Sequence, residues 1–475
     1  MTNTTVRTDG IIRMLPGERF TPFALVRKLG AKILFESSSF QRGRSRYSLL
    51  VLDEAFRLIQ REGKVLFRPA GGGERIFDFA PARDILDAAA YLANQHPVLH
   101  QDFPYPCGGF GYVGYEFAAR CDQIRLTRKD DELGVDDAVF LFGHVYLIYD
   151  HHADVIYLHG VNYHERETDL NKALDAVERR IRDFDFNYLA EAESPAGASR
   201  RPDPEGERDF LAGAASIKRD IEAGSLIQAV LSLRVAVDTD RPSLDSYRRL
   251  RSINPSPYMF HIDFGDFQLF GASPEMHVRL KEKRLTIKPL AGTRPRASAT
   301  AENAEREREL LADEKERAEH LMLVDLARND LGRVARPGTV KVADLMSVEH
   351  YSHVMHISSR IEAELAGDAD SLDAIRLTFP AGTVTGAPKI RAMETLDRLE
   401  RHPRRFYSGI VGFLEPGGDF NTCIAIRCAL QRDRRLWLQA GAGIVHDSVP
   451  ERELREVKHK LAALLAALNL QIEEE

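Results

Sequence analysis

The sequence predicts an α+β protein built on large antiparallel sheets with helices outside, and three observations carry this. Two β-rich runs, HVYLIYD and DVIYLHGV, are joined by the short turn 151–153, a hairpin signal. Residues 48–69 alternate apolar and polar about a polar turn at 61–63. In the second half the strand runs FQLFGAS, RLTIKPLAG, TCIAIRCAL and LWLQAGAGIV mix with helical windows near 305–331, 371–377, 388–399 and 450–468. No regular strand–helix–strand rhythm appears, which disfavours a doubly wound parallel sheet.

Taken in order, a polar helix is expected over 167–183 after the hairpin. The stretch 191–207, EAESPAGASRRPDPEGE, has the Pro, Gly, Ser and charge content of a linker. Residues 1–190 and 208–470 are therefore expected to be separate domains. Phe210, Ala214, Ile217 and Ile221 recur at helical spacing, with Gly224 as the stop, before the strand LIQAVLSLRVAV. The last helix should begin with a capping box of Ser448 and Glu451 and with Pro450 in its first turn. Leu454, Val457, Leu461, Leu464 and Leu468 form its buried stripe.

Composition bounds the function. With 475 residues, 44% hydrophobic, the chain has ample material for large cores. Its 72 acidic and 65 basic residues are well mixed and leave a net charge of −7, without the basic footprint of a nucleic-acid binder. The four cysteines, Cys107, Cys121, Cys423 and Cys428, show neither a disulfide framework nor a zinc spacing. The amino terminus lacks a signal pattern, and the apolar run 138–149 is too short to span a bilayer, so a cytoplasmic protein is expected.

Chemistry concentrates in two Glu-x-x-Glu pairs, Glu316/Glu319 and Glu453/Glu456. At this spacing both carboxylates of a pair share one helix face, so two such helices meeting in space would outline a Mg²⁺ site. Separately, each pair reads as a solvated helix face. Gly109, Gly111 and Gly114 in GGFGYVGYE match a dinucleotide fingerprint only formally, since QDFPYPC before them is a poor strand; close backbone packing is the better reading. AGTVTGAPK lacks the P-loop spacing but suits a loop that offers amides and hydroxyls to an anion. Arg427, in an apolar run, needs a carboxylate, either from the protein or from a ligand. Among sixteen histidines, His353 and His356 in YSHVMHISSR are equally eligible for proton transfer.

IKPLAGTRPR at 287–296, TFPAGTVTGAPKIRAMETL at 378–396, and YSGIVGF, NTCIAIRCAL and QAGAGIVHDSVPERE beyond them resemble, in one order, the chorismate-utilising enzymes, most closely anthranilate synthase component I. The resemblance is dense from about 207 to 460 and traceable through ILFESSSFQRGRSRYSLLVLDE and GGFGYVGYE in the first half. It implies two packed sheets flanked by helices. It implies that Glu319 and Glu456 ligate Mg²⁺ while Glu316 and Glu453 support them through water. Gly292, Thr293, Tyr407, Arg427, Gly441, Ala442 and Gly443 would line the chorismate pocket, with Lys460 adding positive charge. Thr383 would lie in the same pocket, His356 would promote loss of pyruvate, and Glu275 would protonate the departing 4-hydroxyl.

Two positions separate the subfamilies. Where isochorismate and salicylate synthases carry a lysine that activates water, this chain has Gln228, and where aminodeoxychorismate synthases carry a nucleophilic lysine it has Ala291. Both favour amination at C2 by ammonia. No cysteine sits in a nucleophile elbow, so ammonia is expected from outside the chain, and the resemblance implies a separate glutamine amidotransferase subunit as its source. The family's tryptophan feedback site maps to Glu36, Ser37, Pro257, Tyr258 and Met259. Two rivals stay open: an aminodeoxyisochorismate synthase that stops before pyruvate elimination, and a silent tryptophan-binding regulatory subunit.

Overall fold

Two long strands, Tyr47–Arg61 and Ala138–Asp150, form the seam of the fold in this computed structural model, which describes residues 10–39, 43–44, 46–97, 103–127, 129–183, 197–201, 203–297, 299–351 and 354–469. Every residue of Ala138–Asp150 is buried, as a strand covered on both faces requires. Two arms of antiparallel strands leave the seam. One runs from Tyr47–Arg61 through Ile33–Glu36, Tyr258–Asp263, Gln268–Ser273, Cys428–Arg432 and Arg435–Ile444 to Gln228–Thr239. The other runs from Ala138–Asp150 through Phe110–Val113, Ile410–Leu414, Phe420–Ile424, Met276–Lys281 and Arg284–Lys288 to Val354–Glu364. Lys341–His350 and Leu290–Pro295 complete it, each against Val354–Glu364.

The arms face one another across an aromatic-rich core. Phe35 of the first lies 5.9 Å, ring to ring, from both Phe110 and Phe413 of the second. A second core lies on the outer face of the first arm, where Phe210, Ile217, Leu250, Leu396, Val457 and Leu461 bring helices down onto Leu231, Leu438 and Phe270. The glycines of GGFGYVGYE serve close packing: a Cβ on Gly111 would stand 1.9 Å from the carbonyl oxygen of Val139.

The expected hairpin is present, with Val155 opposite Asp150, and so is the polar helix, Leu170–Arg182, capped by Asp169. Three expectations are corrected. The segment 191–207 is not all linker: residues 191–196 lie outside the described set, Ala198–Arg200 is an edge strand against Gln228–Thr239, and Asp203 with Pro204 starts the helix Pro204–Glu222. Its Asp and Pro are helix-start residues, which composition alone could not separate from loop. The window 305–331 holds two helices, Thr300–Ala312 and Glu314–Gly332, because Asp313 caps the second through the amides of Lys315 and Glu316. The Ser448/Glu451 capping box does not form: Val449 is the N-cap of Pro450–Ala467, and Ser448 Oγ accepts from the Val445 amide instead.

Strands from either side of 191–207 interleave in one hydrogen-bonded network, as in Ile33–Glu36 against Tyr258–Asp263 and Phe110–Val113 against Ile410–Leu414. Among the described residues no helix is long and apolar enough to cross a membrane. The four cysteines form no disulfide.

Candidate active site

The site lies where the free ends of both arms meet the helices Glu314–Gly332 and Pro450–Ala467. Arg427 does not sit in a continuous strand. The run TCIAIRCAL breaks into Phe420–Ile424 and Cys428–Arg432, and Arg427 between them adopts φ 51°, its carbonyl held by the Ala272 amide at 3.0 Å. This left-handed turn takes a charged side chain out of an apolar ladder. Its guanidinium makes no ion pair or hydrogen bond with any described residue. Burial lowers its pKa, with Tyr407 and then Glu456 opposing. An internal salt bridge, the plainer of the two sequence readings, is therefore absent among the described residues.

His356 stands beside it. The imidazole Nδ1 donates to the Gly292 carbonyl at 2.9 Å and lies 3.1 Å from Thr293 Oγ1. A carbonyl can only accept, so Nδ1 carries the proton and Nε2 is left with the lone pair. Burial lowers the pKa of His356, the Gly292 carbonyl raises it, and Arg427 lowers it further, which keeps the ring neutral. His353, the other sequence candidate, lies outside the described residues.

Glu275 follows Pro274 at the break between Gln268–Ser273 and Met276–Lys281, and is 8% exposed. Burial pushes its pKa up to about 7, against the opposing pull of Thr383 and then Lys460. The Thr383 hydroxyl approaches this carboxyl without the geometry of a full hydrogen bond and is otherwise buried without a partner among the described residues. A carboxylic acid held protonated near neutrality can donate a proton.

Glycines shape the remaining walls. At Gly443 a Cβ would come within 2.6 Å of Gln228 Nε2, and at Gly441 within 2.9 Å of the Tyr407 hydroxyl. These two positions, two apart on Arg435–Ile444, face the site, while Ala442 between them turns its methyl into the helix-covered core and can offer only backbone. Gly292 has φ 64°, and a Cβ there would lie 3.1 Å from Glu316 Oε2. Lys460 Nζ donates to the Gly441 carbonyl at 2.9 Å and pairs with Glu456 at 2.7 Å.

The two Glu-x-x-Glu turns face each other. Glu319 retains contact with solvent, yet the surrounding protein, then Glu316 and Glu456, raise its pKa. Glu453 is raised by burial, lowered by Ser448 and raised by Glu456. Glu319 has no hydrogen bond or ion pair with any described residue, whereas Glu316 is held by Arg294 at 3.1 Å. Among the described residues no three His, Cys, Asp or Glu side chains stand together at metal-ligating spacing. Mutually repelling hard-oxygen donors, one of them unpartnered, nevertheless fit a divalent cation that takes further ligands from an anionic substrate.

A separate cavity of about 250 Å³ opens between the arms, lined among others by Glu36, Ser37, Pro257, Tyr258, Lys288 and Tyr351. The Glu36 carboxylate is engaged by Tyr247 at 2.8 Å and Arg251 at 3.0 Å. Met259, on the opposite face of its strand from Tyr258, packs into the helix-covered core and does not line the cavity. Sequence reasoning passed over Arg294, which lies in the quoted IKPLAGTRPR motif, and Tyr351, whose ring stands 5.3 Å from that of His356. Arg294 meets Glu316 twenty-two residues on, and Tyr351 meets His356 across the start of the strand Val354–Glu364, so neither contact follows a helical or strand spacing that a local pattern would mark.

This site and fold define a class, and comparison with known proteins agrees. Residues 40–466 match the model of the chorismate binding enzyme family. The chain is 53% identical to anthranilate synthase component 1 of Spirochaeta aurantia over 98% of this chain and 96% of that protein. It is 36% identical to the protein of the same name from Acetivibrio thermocellus, over 94% and 92%. Anthranilate synthase component I from Streptococcus pneumoniae superposes with a TM-score of 0.78 at 33% identity, covering 88% of this chain and 92% of that one. The menaquinone-specific isochorismate synthase of Escherichia coli shares the fold, with a TM-score of 0.72 at 20% identity and coverage of 97% and 95%. The chain belongs to the chorismate-utilising enzymes, in the branch of anthranilate synthase component I.

Proposed function

We propose that this chain is the chorismate-converting subunit of an anthranilate synthase, adding ammonia at C2 of chorismate with loss of the 4-hydroxyl and then releasing pyruvate. The observation that carries the reading is Arg427, a partly buried guanidinium without a carboxylate of its own among the described residues, set among Tyr407, His356 and Glu456. It is a ready partner for a carboxylate of chorismate. Glu275, protonated near neutrality, gives its proton to the 4-hydroxyl, which leaves as water. The Gln228 amide, packed against Gly443, cannot activate water as a lysine would, so ammonia is the nucleophile. His356 Nε2 then takes the ring proton whose removal accompanies loss of pyruvate.

Glu319 and Glu456 would hold Mg²⁺ directly, with Glu316 and Glu453 behind them through water. When bound, the ion supplies Lewis-acid polarisation of the ring carboxylate and offsets the repulsion between an anionic substrate and this acidic wall. Ammonia comes from a glutamine amidotransferase partner, in keeping with the relatives being named as one component of a synthase. The 250 Å³ cavity, with Ser37, Pro257 and Tyr258 in its wall, suits tryptophan as a feedback ligand, and the cytoplasm is the expected compartment.

The test is direct. Purified chain given chorismate, Mg²⁺ and ammonium should form fluorescent anthranilate and pyruvate in equal amounts. Accumulation of a non-aromatic amino acid would instead identify the synthase that stops before elimination, and tight tryptophan binding without turnover would identify a regulatory subunit.

A further inference from the structure

Arg404 is 1% exposed and lies outside the pocket, yet it touches three of the segments that build it. Its Nη1 donates to the Val384 carbonyl at 2.8 Å, in the loop of Thr383, and lies 3.2 Å from the hydroxyl of Ser408, next to Tyr407. Its Nη2 donates to the Val230 carbonyl at 2.6 Å, two residues beyond Gln228 on the same strand. Glu400, four residues earlier and just past the helix Lys389–Leu399, takes the remaining donors, from Nε and Nη2, at 2.7 Å each. Glu400 Oε1 in turn accepts from the amide of Ser232 at 3.0 Å and its hydroxyl at 2.6 Å, fixing the carboxylate to that strand as well. The guanidinium carbon stands 4.6 Å from the ring centre of Tyr115 and 5.6 Å from that of Tyr407.

We infer that Arg404 is a positioning residue for the chorismate pocket: one planar guanidinium sets the Tyr407 ring, the Thr383 loop and the Gln228 strand relative to one another. The inference rests on the function proposed above. A buried ion pair adds little net stability over an apolar replacement, because desolvation offsets the attraction. What this one provides is fixed geometry, since its rigid fork bridges two carbonyls and a carboxylate that lie 16 to 170 residues apart in the chain, Val230 to Glu400 being the longest span. Lysine has the charge but is a single donor centre on a flexible stem and cannot hold these acceptors together. The Tyr407 hydroxyl lies 2.9 Å from where a Gly441 Cβ would be, so a small shift of its ring changes the pocket directly.

The experiment measures chorismate KM and kcat for wild type, R404K, Y407F and R404K/Y407F, with folding checked by near-ultraviolet circular dichroism and melting. R404K should raise KM about tenfold or more while kcat changes less. Because Arg404 acts in part through Tyr407, the KM effect of R404K/Y407F should be smaller than the product of the two single effects. KM effects that multiply in the double variant, or an R404K enzyme with wild-type constants, overturn the inference. If R404K does not fold, E400Q carries the same cycle: it leaves the fork in place with a weaker anchor and should raise KM about threefold, and by less in the Y407F background, and additive or absent effects overturn it. A wild-type chain that neither binds nor converts chorismate overturns the proposed function instead, which separates the two failures.

Discussion

Tyr351 stands edge-on to His356, the ring centres 5.3 Å apart and the planes at 68°, while Tyr351 also lines the 250 Å³ cavity between the sheet arms. Its hydroxyl donates to Glu349 Oε2 at 3.1 Å, and Glu349 pairs with Lys288, which also lines the cavity. A ligand filling the cavity would touch Tyr351 and, through that ring, the imidazole of His356. An edge-to-face pair is worth about 0.5–1.5 kcal/mol. Tyr351→Leu should lower kcat about two- to tenfold with a smaller change in KM, and weaken inhibition by tryptophan. Steady-state kinetics with and without tryptophan check both.

Glu275 should mark itself by pH. Its folded pKa, about 7, lies above the ordinary 4.5, so the folded state holds more protons between those values and stability falls as pH rises from about 4.5 to about 7. The full effect is about 3 kcal/mol. Glu275→Gln should flatten this slope in denaturant titrations at pH 5 and 7.5. It should also reduce kcat by about 10²-fold or more and remove the alkaline limb near pH 7, since only the protonated acid can serve the leaving hydroxyl.

Arg427 should show opposite signs in stability and activity. Its charge is desolvated and unpaired in the free protein, so Arg427→Met should leave the melting temperature unchanged or raise it. The same variant loses a charge-assisted hydrogen bond to substrate, about 1.5–3 kcal/mol, and should raise chorismate KM about ten- to a hundredfold. A loss of both stability and affinity would count against a ligand-directed arginine.

Mg²⁺ should stabilise the folded chain even without substrate. At a hundredfold excess over its dissociation constant the gain is about 2.7 kcal/mol. Melting curves with Mg²⁺ and after EDTA should separate accordingly, and Glu319→Gln, which removes the unpartnered carboxylate, should abolish the difference. The variant should melt higher than wild type in EDTA, because Glu319 is raised in part by Glu316 and Glu456.

Elements whose signals are local were legible. The hairpin about 151–153, the helix Leu170–Arg182 and the buried stripe of Pro450–Ala467 follow from alternation, helical spacing and end signals within a few residues. Where a competing local bond intervened, the reading shifted: Asp313 split a helical window by capping its second half, and the Ser448 hydroxyl oxygen accepted from the Val445 amide rather than forming a capping box. The interleaving of strands across 191–207 was not legible, because pairings such as Phe35 with Phe260 depend on partners more than two hundred residues away.

By itself the sequence determined which chemistries were on hand: four carboxylates in two helical pairs, an arginine in an apolar run, glycines where a side chain would obstruct, and motifs in the order of the chorismate-utilising enzymes. Only the tertiary structure decided which groups are free to act. It paired Glu316 with Arg294 and left Glu319 without a partner among the described residues, turned Arg427 out of its ladder, gave the His356 proton to a carbonyl, and buried Glu275 deeply enough to keep it protonated near neutrality. Charge state and availability depend on burial and on neighbours brought together by folding, and those quantities are not written in any local stretch of the chain.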